Sequence, residues 1–437
     1  MEPQGPRMSR RAFAQLTGAA AFGLAFAPVF APATASARSR RTPPADLGER
    51  ALIDGTPADA GMDAALLDDA FARVARRAAD GRFPGAVALV ARNGIVVGQR
   101  AFGVRVAGST EAMTADTIFD VESMTKVLAT TTMAMRLVTA GRLSLLDRVA
   151  KYLPDFAANA KGSVLVRDLL RYSSGLPVDN QKVDTNDVDA IWAFMLDTPL
   201  EYAIGSAVEY SDLGFRILGR LLETIAGETL DSYCKREIWG QLGMSDTTYN
   251  PAPSLVSRIA ATGGGSLGLR AGPLRGTVQD DQDWKLGGIV GCDGVFTTAR
   301  DVAVFSQMML NGGEYNTKRV LDSDVVATIV ANQTPPVTEA ATDLDPTSNL
   351  ISTPKGYGFE LWTHRFSPGG MRLTPGSYGK TGGAGTYMWI DPARALVMIL
   401  LTNHGLPVPF DQPGWNRLSD DIAMGEFCDG VVQAIVR

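Results

Sequence analysis

Histidine is almost absent from this chain: His364 and His404 are the only two in 437 residues. A mechanism built on a histidine base must use one of them, which closes most routes to a Ser-His-Asp triad. Cysteine is nearly as scarce. Cys234, Cys292 and Cys428 include no C-x-x-C pair, and three thiols cannot all pair within one chain. Their wide spacing suits buried thiols better than a metal site or a disulfide framework. No basic block occurs and the net charge is −6, so neither nucleic acid nor anionic lipid is an expected partner. Long apolar runs are missing too. The stretch from Leu16 to Phe30 is short and carries Pro28, so no stable membrane anchor is expected. With 45% apolar and 20% charged residues, the chain has the make-up of a soluble globular enzyme with a large core.

The N-terminus reads as an address. Ser9-Arg10-Arg11-Ala12-Phe13 is a twin-arginine signature, the apolar stretch follows it, and Ala35-Ser36-Ala37 supplies small residues for cleavage. Residues 1–37 are thus expected to be a twin-arginine signal peptide, placing the protein in the periplasm, at the cell wall or outside the cell. Residues 38–61, rich in Pro, Arg and Ala, read as a tether, and residues 62–437 as one body.

Within that body, Leu66, Leu67, Phe71, Val74 and Ala75 predict an amphipathic helix over 62–80, closed near Gly81. Residues 85–92 and 95–102, separated by Asn93-Gly94, carry the signal of a β-hairpin. A second strand pair is expected at 386–390 and 396–401, with a turn beginning at Asp391-Pro392, and a closing helix at 418–436. Between the hairpins the pattern is mainly helical: a buried helix over 124–140, a striped one over 213–226, and one after the cap Thr298. Residues 334–355 read as a long loop. Strands near both ends with helices between them predict an α+β body: a sheet from about 62–120 and 285–437 around a helical insertion at about 121–284.

Three short motifs carry the chemistry. Ser123-Met124-Thr125-Lys126 has the form S-x-x-K at a helix start, which puts Lys126 on the same face as Ser123 one turn later. A serine hydroxyl becomes nucleophilic when a neighbour takes its proton, and a lysine can do so only if burial keeps it neutral. Tyr210-Ser211-Asp212 lies at a loop-to-helix junction, from which Tyr210 can point into a cleft and relay a proton. Lys380-Thr381-Gly382-Gly383 leads into the strand at 386–390, where lysine can bind a carboxylate and backbone N–H groups can face an oxyanion.

With these motifs in this order, the chain resembles the serine β-lactamase-related superfamily: class C β-lactamases, D-alanyl peptidases and the carboxylesterases built like them. Further stretches carry the likeness: Arg167 to Pro177, Leu286-Gly287-Gly288 leading to Gly294-Val295-Phe296-Thr297-Thr298, and Gly385 to Pro392. The resemblance implies a mainly antiparallel sheet flanked by helices, with the site between sheet and helical subdomain. It implies Ser123 as acylated nucleophile, Lys126 and Tyr210 as base and acid, and the N–H groups of Ser123 and Gly383 as oxyanion hole. Asp212, Lys380, Thr381 and Gly382 would meet the substrate: a small ester, a β-lactam or a peptide. No metal or organic cofactor is implied.

Two residues depart from that family's pattern. Asp212 stands where asparagine is usual; an ionised carboxylate only accepts hydrogen bonds, and close to Lys126 it would hold the lysine protonated. Glu122 puts a charge directly before the nucleophile. Ester chemistry is expected ahead of β-lactam or D-peptide hydrolysis, and a catalytically inactive relative that binds wall peptides or a protein is the reading from another class. Gly264-Gly265-Ser266-Leu267-Gly268 matches the G-x-S-x-G elbow but lacks its strand and helix, so it reads as a flexible loop. Asp280, Asp281 and Asp283 read as an acidic surface loop.

Overall fold

The computed structural model describes residues 51–179, 185–335, 354–364, 367–405 and 417–436. The expected signal peptide, residues 38–50 of the expected tether and most of the 334–355 loop lie outside them.

Seven strands form the main sheet: β1 (Ile53–Asp54), β2 (Gly85–Arg92), β3 (Ile95–Gly103), β4 (Glu360–Leu361), β5 (Tyr378–Gly382), β6 (Thr386–Asp391) and β7 (Leu396–Thr402). Their spatial order is β1-β3-β2-β7-β6-β5-β4, so the two hairpins dock side by side through β2 and β7. Every pair is antiparallel except β1 with β3. β1 falls in the stretch whose composition reads as a tether; there Leu52 is buried and Ile53 pairs with Ile95.

The β2–β3 turn has φ of 55° at Asn93 and 78° at Gly94. Two successive left-handed residues match the right-handed twist of the flanking strands, which is why Asn-Gly marks this turn. β2 and β7 are buried along their whole length because both faces of the sheet are covered, so they read as unbroken apolar runs. One face sets Ala88, Val90, Trp389, Met398 and Leu400 against Leu67, Phe71 and Val74 of α1 (Ala64–Ala79) and Met424 and Phe427 of the C-terminal helix Arg417–Gln433. The other sets Val87, Leu89, Met388, Val397 and Ile399 in one core with Val127 and Leu128 and with Val302, Phe305 and Met308 of the helix Ala299–Leu310. Each such aliphatic or aromatic side chain removed from water contributes roughly 1.5–3 kcal/mol.

A second, three-stranded antiparallel sheet positions the chemistry. Val295–Thr297 lies between Phe119–Asp120 and Thr248–Tyr249, which brings the residues before Ser123 alongside a segment about 170 residues later. The helix expected at 124–140 is three pieces: a 3₁₀ turn at Glu122–Met124, a π-helical turn at Lys126–Thr131 and α-helix at Thr132–Thr139. Thr132 Oγ1 donates to Val127 O at 2.7 Å, five residues back, and Thr130 Oγ1 to Gly291 O at 2.7 Å. These threonine bonds loosen the helical pitch where the nucleophile is presented. The architecture is α+β, a mainly antiparallel sheet with helices on both faces and a helical body between the hairpins. Among the described residues no helix is long and apolar enough to cross a membrane.

Candidate active site

Ser123 sits at the centre of a filled hydrogen-bond set. Its Oγ accepts from Lys126 Nζ at 2.8 Å and from the Tyr210 hydroxyl at 2.5 Å. Its own hydroxyl donates to Asp293 Oδ1 at 3.2 Å. A hydroxyl offers two lone pairs and one proton. Lys126 and Tyr210 occupy the lone pairs, so the proton is left to Asp293.

Charge then decides which neighbour can take that proton. Burial is the largest single influence on the Lys126 pKa and would lower it. Asp212, whose Oδ1 is 2.5 Å away, together with Tyr210, Asp293 and Cys292 outweighs it and holds the ammonium well above its ordinary value. The burial expected to make Lys126 neutral is present; the acidic groups around it, led by the aspartate of the second motif, together override it. Burial also lifts the Tyr210 phenol well above its usual range, with Asp212 next in effect. Asp293, 4% exposed, is raised by burial although Lys126 pulls it down, which makes it a more basic carboxylate. Asp212, Cys292 and Asp293 bring potential metal-ligand atoms together, but the Lys126 ammonium lies among them, 2.5 Å from Asp212 and 3.9 Å from Asp293.

Glu122, buried at φ 46°, holds the left-handed turn that presents Ser123. Burial, then Asp120 and Asp293, push its carboxyl well above the ordinary value, which disfavours its charged form. Asp120, accepting from Gln279 N at 2.8 Å and Glu122 N at 3.1 Å, is pushed up to about 7 by burial. The charge expected before the nucleophile is therefore disfavoured by the surroundings it is buried in.

Tyr210 is positioned by the Arg167–Pro177 stretch. Its ring stacks on Tyr172 at 5.2 Å and 24°, and Tyr172 is anchored by its hydroxyl to Gly358 O at 3.1 Å. Ser211 donates to Pro177 O at 2.6 Å and caps the helix Asp212–Ala226 by accepting from Gly214 N at 3.0 Å.

Lys380, Thr381 and Gly382 end β5, and Gly383 follows directly. Thr386 Oγ1 donates to Val121 O at 3.1 Å, fastening the β5–β6 hairpin to the nucleophile turn. A side chain at Gly382 would run into that same carbonyl and into Thr386 Oγ1. Gly382→Ala is therefore expected to cost about 1–3 kcal/mol of stability and to slow fluorophosphonate labelling of Ser123 by at least about tenfold, read by urea denaturation and intact mass. Full labelling speed in a stable variant would mean that this contact does not set the site.

Two residues at the site escape sequence reasoning. Asp293 lies inside a stretch that carries the family likeness, yet only the fold brings it to Ser123. Glu360 accepts from Lys380 Nζ at 2.9 Å and Thr381 Oγ1 at 3.0 Å. The acidic surface loop is a correction: Asp281 and Asp283 are fully buried, Asp281 paired with Arg270 at 2.6 Å and Asp283 with Arg216. Those arginines arrive from elsewhere in the chain and take the place of solvent. Ser266 of the G-x-S-x-G match donates to Asp280 Oδ2 at 3.1 Å and accepts from Asp281 N at 3.0 Å, so the loop is pinned and its serine engaged. All three cysteines are free and buried.

The family model described as Beta-lactamase matches residues 70–420. An N-acetylmuramyl-L-alanine amidase of Bacillus subtilis (strain 168) is 30% identical over 354 residues, 74% of this chain and 77% of that protein. Among solved structures, EstCE1, a hydrolase with promiscuous acyltransferase activity, superposes with TM-score 0.66 at 21% identity, over 84% of this chain and 99% of that one. A class C beta lactamase from Rhodobacter sphaeroides gives TM-score 0.63 at 19% identity, over 85% of this chain and 100% of that one. These two structures share the fold. With its family model matched across most of the chain and its S-x-x-K serine at the centre of the site, the protein belongs to the beta-lactamase family of serine hydrolases.

Proposed function

We propose that this chain is an exported serine hydrolase that works through an acyl-enzyme on Ser123, with small acyl esters as its preferred substrates. The observation that carries the reading is the filled set around Ser123 Oγ: two donors, Lys126 and Tyr210, and one acceptor, Asp293. Oγ attacks the carbonyl carbon as its proton passes to Asp293. The N–H groups of Ser123 and Gly383 receive the oxyanion, and the Lys126 ammonium stabilises negative charge growing on Oγ. The C–O bond to the alcohol breaks, and the alkoxide takes one proton from the Tyr210–Lys126–Asp293 network, which holds the one Ser123 released. Water then attacks the acyl-enzyme, gives a proton to the same network, and the acid leaves as Ser123 regains its hydroxyl. This assigns Asp293 the base role and leaves Lys126 an electrostatic one.

The test is intact mass and peptide mapping after a fluorophosphonate, beside burst kinetics with p-nitrophenyl acetate and nitrocefin. A label on Ser123 with an ester burst and no lactam turnover supports the reading. Nitrocefin turnover moves it to β-lactam or D-peptide chemistry. Amide hydrolysis is the second reading, favoured by the 30% identical amidase. Neither label nor burst would make the chain a binding protein.

Lys380 predicts a pH limb. Burial pushes its ammonium down to about 8, against the attraction of Glu360 and with Lys126 and Lys355 adding to the fall. The charged form exists below that pH, so kcat/KM on a neutral ester is expected to drop above about pH 8 and to hold in Lys380→Arg, whose guanidinium stays charged. A wild-type profile flat to pH 9.5 would remove Lys380 from the reaction. Export rests on Arg10-Arg11 and Ala35-Ser36-Ala37. Recovery of the protein outside the cytoplasm beginning at Arg38, and its retention inside after both arginines become lysine, would support it.

A further inference from the structure

We propose that Glu360 is a specificity-determining residue whose carboxylate fills the anion position made by Lys380 and Thr381, so that the site accepts substrates without a carboxylate near the scissile bond and rejects those with one. The inference rests on the acyl-enzyme reading above and names its substrate class.

The geometry is convergent. Lys380 Nζ and Thr381 Oγ1 both donate to one oxygen, Glu360 Oε1, at 2.9 and 3.0 Å. That is the arrangement a substrate carboxylate would take up, and a side chain of the protein already holds it. Glu360 comes from β4, which pairs with β5 only at Tyr378 and Gly379. Among the described residues no strand pairs with Lys380 to Gly382 on their β4 side, and the Glu360 carboxylate occupies the anion position beside them.

Displacement by a substrate is unfavourable on two counts. Lys380 is 1% exposed and the Glu360 side chain 13%, so an incoming carboxylate trades one ion pair for another and leaves Glu360 largely buried without this partner. It also meets the carboxylates of Asp212 and Asp293 near the nucleophile, each of which already shares Lys126. A neutral acyl group requires no such exchange. Occupying a recognition site with a built-in carboxylate is discrimination by exclusion, in which the rejected substrate is the one that must first displace a carboxylate already bound to Lys380 and Thr381.

The experiment compares phenyl acetate with 3-acetoxybenzoate, which differ by one carboxylate on the leaving group, in wild type, Glu360→Gln and Glu360→Ala. Wild type is expected to prefer phenyl acetate by at least about thirtyfold in kcat/KM, and each variant to narrow that ratio at least about tenfold. The ratio within one variant cancels any loss of active protein. Equal use of both esters by wild type overturns the proposal without any variant. A large wild-type preference that persists in both variants overturns it as well, by removing Glu360 as the cause. Fluorophosphonate labelling of wild-type Ser123 is read in parallel: no label defeats the acyl-enzyme reading itself, whereas a label with an unchanged ratio defeats only the role of Glu360.

Discussion

Asp293→Asn is expected to lower the acylation rate by roughly 10²–10⁴-fold, a loss second only to that of Ser123→Ala, which should approach 10⁶-fold and abolish labelling. Lys126 and Tyr210 both donate to Oγ, so in the resting enzyme the neighbour of Ser123 among the described residues placed to receive its proton is Asp293 Oδ1. An asparagine keeps the shape and can still accept a hydrogen bond through its carbonyl, but it cannot bind a proton at neutral pH. Single-turnover burst rates with p-nitrophenyl acetate separate the step. Asn at 293 should leave fluorophosphonate labelling detectable but slow, and the acidic limb of the pH–rate profile should disappear. A variant within threefold of wild type would return the base role to Lys126, which would then have to be neutral in spite of Asp212. Lys126→Met separates the two cases by its pH profile: loss of an ammonium lowers the rate evenly across pH, whereas loss of a base removes a limb.

The readable part of this protein was local. Asn93-Gly94 set a hairpin because two left-handed residues are required there, and the structure has both. Thr298 and Ser211 are helix caps, each accepting from an N–H three residues on, so the helices behind them begin where the pattern puts them. Alternation was less informative for β2 and β7, buried on both faces, yet their turns bounded them. What could not be read was the pairing of distant charges. Ser123 and Asp293 are 170 positions apart, and a lone aspartate after a cysteine carries no periodic signal. Glu360 sits on a strand of two residues, too short for any pattern. The acidic run at 280–283 has the composition of a solvated loop, and only the fold brings Arg216 and Arg270 to it. The departure at Asp212 was legible as a tension with a neutral Lys126, because that conflict depends on residue chemistry and a single contact.

The same burial of charge makes Arg216 the residue whose loss should harm the fold most. Its guanidinium, 1% exposed, bonds Asp283 and Asp179 and reaches Asp280 at 3.2 Å, while Cys292 Sγ donates to Asp283 Oδ2 at 2.9 Å. Burial would lower the Arg216 pKa, but Asp179, Asp283, Cys292 and Asp280 together outweigh it and hold the guanidinium well above its ordinary value. Asp283 has no exposure at all, whereas 37% of the Asp179 side chain is open, so most of the strain of losing the cation falls on Asp283. Arg216→Met is expected to cost about 3–5 kcal/mol, because it removes one partner and leaves buried carboxylates behind. The loss should depend on pH in a definite direction. Burial already raises the Asp283 pKa well above its ordinary value while Arg216 pulls it down, so without Arg216 it rises further. A folded-state pKa above the unfolded one means that the folded form binds the extra proton, and stability falls as pH climbs toward the folded value. The gap between wild type and variant in urea midpoint should therefore be small near pH 4 and widen toward pH 8. Arg216→Met with Asp283→Asn should recover part of it, since the neutral amide removes the stranded charge while keeping a group for Cys292. A gap that stays constant from pH 4 to pH 8 would mean the variant fails by lost packing, and that the Arg216 carboxylate cluster does not stabilise the fold by charge.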